Sequence, residues 1–132
     1  LGELAGLKQE EIHLDAPIPY IEFKHNEIRK LKNDWSVRDV PIHPACIQVI
    51  KHLPPHESLK SYTPGELFSR RLVRRTGDCA HSLRANFINR MRQAGVEYSI
   101  AMAIVGHEPV GMTATYGEVT LEDMQKELQK LR

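Results

Sequence analysis

With 132 residues, 41% of them apolar, the chain is long enough to bury one core on folding and too short for two independent ones, so residues 1–132 are expected to form a single domain. It holds no apolar run of roughly eighteen residues, and the opening LGELAGLKQEE has neither the basic nor the apolar region of a signal peptide, which argues against a membrane protein and for a soluble cytoplasmic one. The net charge of +1 is unevenly spread, with 14 Lys or Arg against 6 Asp or Glu from Lys24 to Arg92 and 4 against 11 in the two flanks together; a central positive field of this kind attracts a polyanion through phosphate contacts and counterion release.

In chain order, GELAGLKQEEI sets Leu4, Leu7 and Ile12 among polar residues, as the end of one helix and a following turn would. Beyond Pro17 and Pro19, the alternation in Tyr20, Ile21, Glu22 and Phe23 predicts a short strand. The segment VRDVPIH, with Val37, Val40 and Ile42 among charged positions, predicts its antiparallel partner, and the residues between them form a long basic tip that carries Lys30 and Lys32. Pro44 can open a helix whose apolar content comes from Ala45, Ile47, Val49, Ile50 and Leu53, and Pro54 and Pro55 end it. A proline-rich surface loop then runs to Gly65.

Residues 66–76, ELFSRRLVRRT, place Leu67, Phe68 and Leu72 on one face of a short helix and Arg70, Arg71, Arg74 and Arg75 largely around the other. Asp78 is the expected N-cap of the next helix, in which Leu83, Phe87, Ile88 and Met91 form an apolar stripe that ends before Gly95. His81 and Arg84, three apart, share a neighbouring face. Ser99 is the expected cap of a shorter helix, IAMAIV, which Gly106 terminates, leaving His107 just beyond it. The loop EPVGMTAT leads to Tyr116, and Thr120 with Asp123 forms a capping-box pattern ahead of Leu121, Met124, Leu128 and Leu131. The fold class read from this pattern is mainly α with a small antiparallel β-sheet. Cys46 and Cys79 lack CxxC spacing and are read as buried free thiols, with no zinc ribbon or disulfide framework.

The chemically informative set is Lys32, His81, Arg84, His107 and Tyr116, a group of cations and N–H donors preceding one phenol. A phosphodiester transition state concentrates negative charge on its nonbridging oxygens, which guanidinium forks and imidazole N–H groups are suited to hold. Nearby positive charge favours the ionised form of a tyrosine whose reference pKa is about 10, so Tyr116 can attack phosphorus, and a lysine near the leaving oxygen can act as general acid.

The stretches LGELAGL, LKNDWSVRDVPIHP, HSLR and VGH, followed by Tyr116, resemble tyrosine recombinases of the phage integrase family in order and spacing over nearly the whole chain. The resemblance implies the integrase catalytic-domain fold and site-specific DNA integration and recombination, by strand cleavage and rejoining through a 3′-phosphotyrosine intermediate, on behalf of a mobile element. It assigns Tyr116 as nucleophile, Lys32 as general acid, His81 with Arg84 as the HxxR pair, His107 as a further phosphate ligand and Glu3 as active-site support. Arg70, Arg71, Arg74 and Arg75 are expected on the DNA backbone, where they give affinity and not sequence choice. The family's first catalytic arginine would fall immediately before Leu1, so the chain is expected to be truncated at its N-terminus, without the N-terminal DNA-binding domain, and to be inactive alone. HSLRANF lacks the histidine that often follows HxLR, and Gly117 replaces a commoner polar residue.

The partners so implied are double-stranded DNA and other protomers of the same recombinase, four in the synaptic complex, in a nucleoid-associated setting, with no membrane and no small-molecule substrate. The terminal helix would either pack on its own core or dock on a neighbouring protomer. No cofactor is expected, and no metal, because neither His81 nor His107 has a carboxylate or third histidine at ligand spacing. Two other readings compete: a catalytically inactive DNA-binding or regulatory remnant of an integrase, and an enzyme like a type IB topoisomerase, against which the compact motif spacing argues.

Overall fold

The computed structural model of the chain describes residues 2–52, 65–108 and 118–131. Strands β1 (Ile12–His13), β2 (Tyr20–Phe23) and β3 (Arg38–Pro41) form an antiparallel sheet in the order β1-β2-β3. Helices α1 (Gly2–Ala5), α2 (Pro44–Lys51), α3 (Gly65–Thr76), α4 (Ala80–Gln93), α5 (Tyr98–Val105) and α6 (Leu121–Leu128) make the rest mostly helical, as the sequence pattern implies. Among the described residues no helix is long and apolar enough to cross a membrane. Leu53, Pro54, Pro55 and the proline-rich stretch after them, most of the loop before Tyr116, and Tyr116 itself lie outside the described residues.

The expected hairpin is β2 with β3, Tyr20 opposite Pro41 and Phe23 opposite Arg38. Pro41 is tolerated because β3 is an edge strand, where a missing N–H leaves no ladder bond unmade. Period-two alternation puts Arg38 and Val40 on one face of β3, and Val40 packs against the helical core. The sheet's first strand was not foreseen: a pair of residues is too short to show alternation, yet Ile12 pairs with Ile21 and His13 with Tyr20, whose rings stack with centroids 4.4 Å apart.

The basic tip is anchored from within by Arg29, which is buried beside the fully buried Glu11. Its Nη2 donates to Glu11 Oε1 at 2.9 Å and to the Lys24 carbonyl at 2.8 Å, and its Nη1 to the Glu3 carbonyl at 2.8 Å. Asn26 adds donations to the Gly6 carbonyl and to Glu11, both at 3.0 Å. The backbone at Gly6 comes so close that a Cβ there would stand 2.5 Å from Arg29 Cβ, which is why glycine occupies the position.

The helical core consists of Met91, Val96, Ala101, Met102, Ile104, Val105, Met124 and Leu128, with Phe87, Ile88 and Leu131 packed against it. Thr120 and Asp123 form the expected capping box of α6, which packs on α5 and β3 of its own chain. Buried Glu127 joins α6 to the start of α5: its Oε2 accepts from the Glu97 N–H at 3.0 Å and from Lys130 Nζ at 2.7 Å. Lys130, and after it the Glu97 N–H, hold the Glu127 carboxyl below its usual value, against the opposing effect of burial. Glu127→Gln is therefore expected to cost about 1–2 kcal/mol in urea unfolding at neutral pH. Because the folded pKa is the lower one, this contribution is full above the ordinary value of 4.5 and is lost as pH falls through the folded value, so the difference between the two proteins closes in acid.

Four local expectations are corrected. Cys46 and Cys79 are both exposed and not buried, because α2 has no buried residue despite its apolar content and Cys79 stands at the N-terminus of α4. Cys79, and not Asp78, is the N-cap of α4; the Asp78 N–H is instead taken by Thr76 Oγ1 at 3.1 Å. The N-cap of α5 is Glu97, whose carboxylate accepts from the Ser99 N–H at 3.3 Å, because the helix starts at Tyr98 and Ser99 is already within it. Leu83, in the first turn of α4, is 49% exposed, so the buried stripe of that helix begins only at Phe87.

Candidate functional site

The site is built around the C-terminal end of α5. That helix is apolar nearly throughout, with Ala101, Met102, Ile104 and Val105 buried, so its last carbonyls end away from bulk water and need partners within the protein. Gly106, at φ +67°, turns the chain into the left-handed region and lets two backbone groups return: Gly106 N–H to Ala103 O at 3.1 Å and His107 N–H to Met102 O at 3.0 Å. This Schellman corner places His107.

The remaining two carbonyls are capped by arginines from distant segments. Arg38 Nε donates to Ile104 O at 2.9 Å, and Arg84 Nη2 donates to Val105 O. Both guanidiniums therefore lie at the negative end of the helix, where cations are favoured. Each fork has more N–H donors than this single bond uses.

Arg38 makes a second set of contacts. Its Nη1 and Nη2 fork the two oxygens of Glu3 at 3.2 Å each, Nη1 also donates to Ser36 O at 2.8 Å, and the guanidinium lies 4.8 Å from the centroid of the Phe23 ring. A Cβ at Gly106 would stand 2.6 Å from Arg38 Nη1, so the arginine passes directly across the corner. Arg38 thus links α1, β3 and the end of α5, a role that was not read from the sequence. The available signal was parity: Arg38 shares a face with Val40 and Ile42, whereas Val37, which the hydropathy pattern groups with them, is 47% exposed.

Of the residues singled out from the sequence, the structure gathers Arg84, His107 and Glu3. Partial burial, then the charges of Arg84 and Arg38, push the His107 pKa below the ordinary histidine value, with the Glu3 carboxylate opposing them. His81 is exposed in the first turn of α4, three residues before Arg84 and therefore one turn away on the same side. Lys32 stands exposed at the tip between β2 and β3 and makes no hydrogen bond or ion pair to the described residues. Lys24, in the same connection, is instead bound to Glu22 at 2.7 Å. Arg70, Arg71, Arg74 and Arg75 are exposed along α3, which packs on α4.

Chemically, the Arg84 guanidinium and the His107 imidazole bring N–H donors to one corner, and such groups are suited to the oxygens of an oxyanion. Among the described residues, no group of three or more His, Cys, Asp or Glu is placed to hold a metal ion. Comparisons of the chain with family models, with curated proteins and with solved structures find no match.

Proposed function

We propose that the chain is the catalytic domain of a tyrosine recombinase of the phage integrase type, which cuts and rejoins duplex DNA through a transient 3′-phosphotyrosine link at Tyr116. The observation that carries this reading is the junction at α5: Arg84 of the HSLR segment is bonded to the carbonyl immediately before Gly106–His107, so two separate motif segments meet at one corner. The motifs' order along the chain and the central concentration of basic residues support it as well.

In this reading His81, Arg84 and His107 donate N–H groups to the nonbridging oxygens of the scissile phosphate, and the guanidinium charge of Arg84 stabilises the transition state. Tyr116 Oη passes its proton to solvent water and attacks phosphorus, and the bond to the 5′ oxygen breaks. Lys32 protonates that oxygen. The tyrosyl phosphodiester keeps the energy of the bond it replaced, so a 5′ hydroxyl from a second strand can attack it and release Tyr116 without ATP. Glu3 supports the site through Arg38. The arginines of α3 contact the DNA backbone and contribute affinity.

Strand exchange tests the proposal. The full-length protein is incubated with two distinguishable duplexes drawn from the DNA flanking its coding sequence, in the presence of a chelator, and products are separated on denaturing gels. Joined strands containing one end from each duplex are expected. Relaxation of supercoiled DNA without any joined product would instead point to topoisomerase-like chemistry, and tight DNA binding with neither product would point to an inactive remnant.

A further inference from the structure

We propose that Arg38 is a positioning residue of this site, one that locks the Gly106–His107 corner to the sheet and to Glu3 and so sets where His107 meets the scissile phosphate. The proposal deepens the recombinase reading, and only its catalytic arm rests on it.

The geometry is over-determined. Four donations leave Arg38, to Ile104 O, Ser36 O and both oxygens of Glu3, and the acceptors lie on three separate segments: the end of α5, the turn before β3, and α1. The side chain is only 11% exposed and lies over Phe23, so it is not free to reach a DNA phosphate. It acts through the corner it crosses: the space a Cβ would fill at Gly106 is the space its Nη1 occupies. A displaced Arg38 would leave Ile104 O without its donor in a buried stretch of helix and free the following residues to shift. A reacting group misplaced by about 1 Å can lose on the order of 10²-fold in rate.

Among the described residues, the charged groups acting on His107 are Arg84 of α4, Arg38 of β3 and Glu3 of α1. That set gives the variants opposite signatures. In Arg38→Met a repelling cation is lost while Glu3 remains, so His107 should titrate at higher pH than in the wild type. In Glu3→Gln the attracting anion is lost, so His107 should titrate lower. Arg38→Lys keeps the charge without the fork, so the titration should stay close to the wild type while geometry suffers.

The experiment is an NMR titration of the His107 ring in the full-length wild-type protein and these three variants, paired with single-turnover cleavage of nicked duplex. The expected results are the three titration patterns above, together with cleavage slowed on the order of 10²-fold in Arg38→Met and Arg38→Lys and DNA affinity held within about twofold. A His107 titration identical in wild type and Arg38→Met, or wild-type cleavage in either Arg38 variant, overturns the proposal. Should Arg38→Met not fold, Arg38→Lys and Glu3→Gln carry both readouts. A wild-type protein that cleaves nothing overturns the recombinase reading, and the titrations still decide whether Arg38 governs the corner.

Discussion

Arg84→Ala is expected to slow single-turnover cleavage of nicked duplex by about 10²–10³-fold, the loss typical of removing one preorganised donor from a developing oxyanion. The residue serves two purposes in the account, and the variants separate them. One N–H group caps Val105 at the end of α5, and the fork has further N–H groups to offer a phosphate. Arg84→Lys retains the cation but not the bidentate fork, so it should recover a minor part of the rate at most. Loss of the cap alone should cost about 1 kcal/mol of stability, visible in a urea melt and too small to unfold the domain. A rate unchanged in Arg84→Ala would remove this residue from the chemistry.

The second large effect is on stability and lies away from the reacting groups. Glu11→Ala is expected to cost about 3–5 kcal/mol, because it strands a buried guanidinium whose counter-charge is gone. Glu11 is fully buried and Arg29 nearly so, and their contact is 2.9 Å, so solvent does little to screen them. Arg29→Ala should cost a similar amount, since it leaves the carboxylate unpaired and the carbonyls of Glu3 and Lys24 without their donor. The two losses should not add in the double variant, because each already breaks the same pair. Urea unfolding of the single and double variants measures this directly, and additive losses would show that the pair is not coupled. The effect reaches the site as well: the Glu3 backbone is held by Arg29 and its side chain by Arg38, so weakening the tip loosens Glu3.

Features whose causes are local were legible in the sequence. The β2–β3 hairpin follows from alternation, α6 from the Thr120 and Asp123 box, and the end of α5 from Gly106. His81, Arg84 and His107 were singled out because each sits in a short, recognisable segment, and the structure brings Arg84 and His107 to the same corner. What escaped is carried by long-range contacts. Arg29 reaches Glu3 across 26 positions and Arg38 reaches Ile104 across 66, and no window of neighbouring residues contains either bond. Both arginines stand in polar or charged stretches, yet tertiary contacts bury Arg29 and leave the Arg38 side chain little exposed. The cysteines failed in the opposite sense: the apolar run around Cys46 suggested burial, but α2 keeps none of its residues buried within the described structure. Cap positions shifted by one or two residues because Asp78, Cys79, Glu97 and Ser99 all lie next to a helix start, and only the backbone geometry selects among them.

The central claim is that Tyr116 becomes covalently joined to DNA, and it is tested most directly by trapping that link. The full-length protein, with a chelator present, is mixed with nicked duplexes whose cleaved fragment diffuses away, so that religation cannot reverse the step. Denaturing gels and peptide mass spectrometry then locate the attachment. The account predicts a 3′-phosphotyrosine adduct on the peptide containing Tyr116, absent from Tyr116→Phe, which should still bind DNA. An adduct on any other residue, or specific DNA binding by the wild type with no adduct at all, would contradict it.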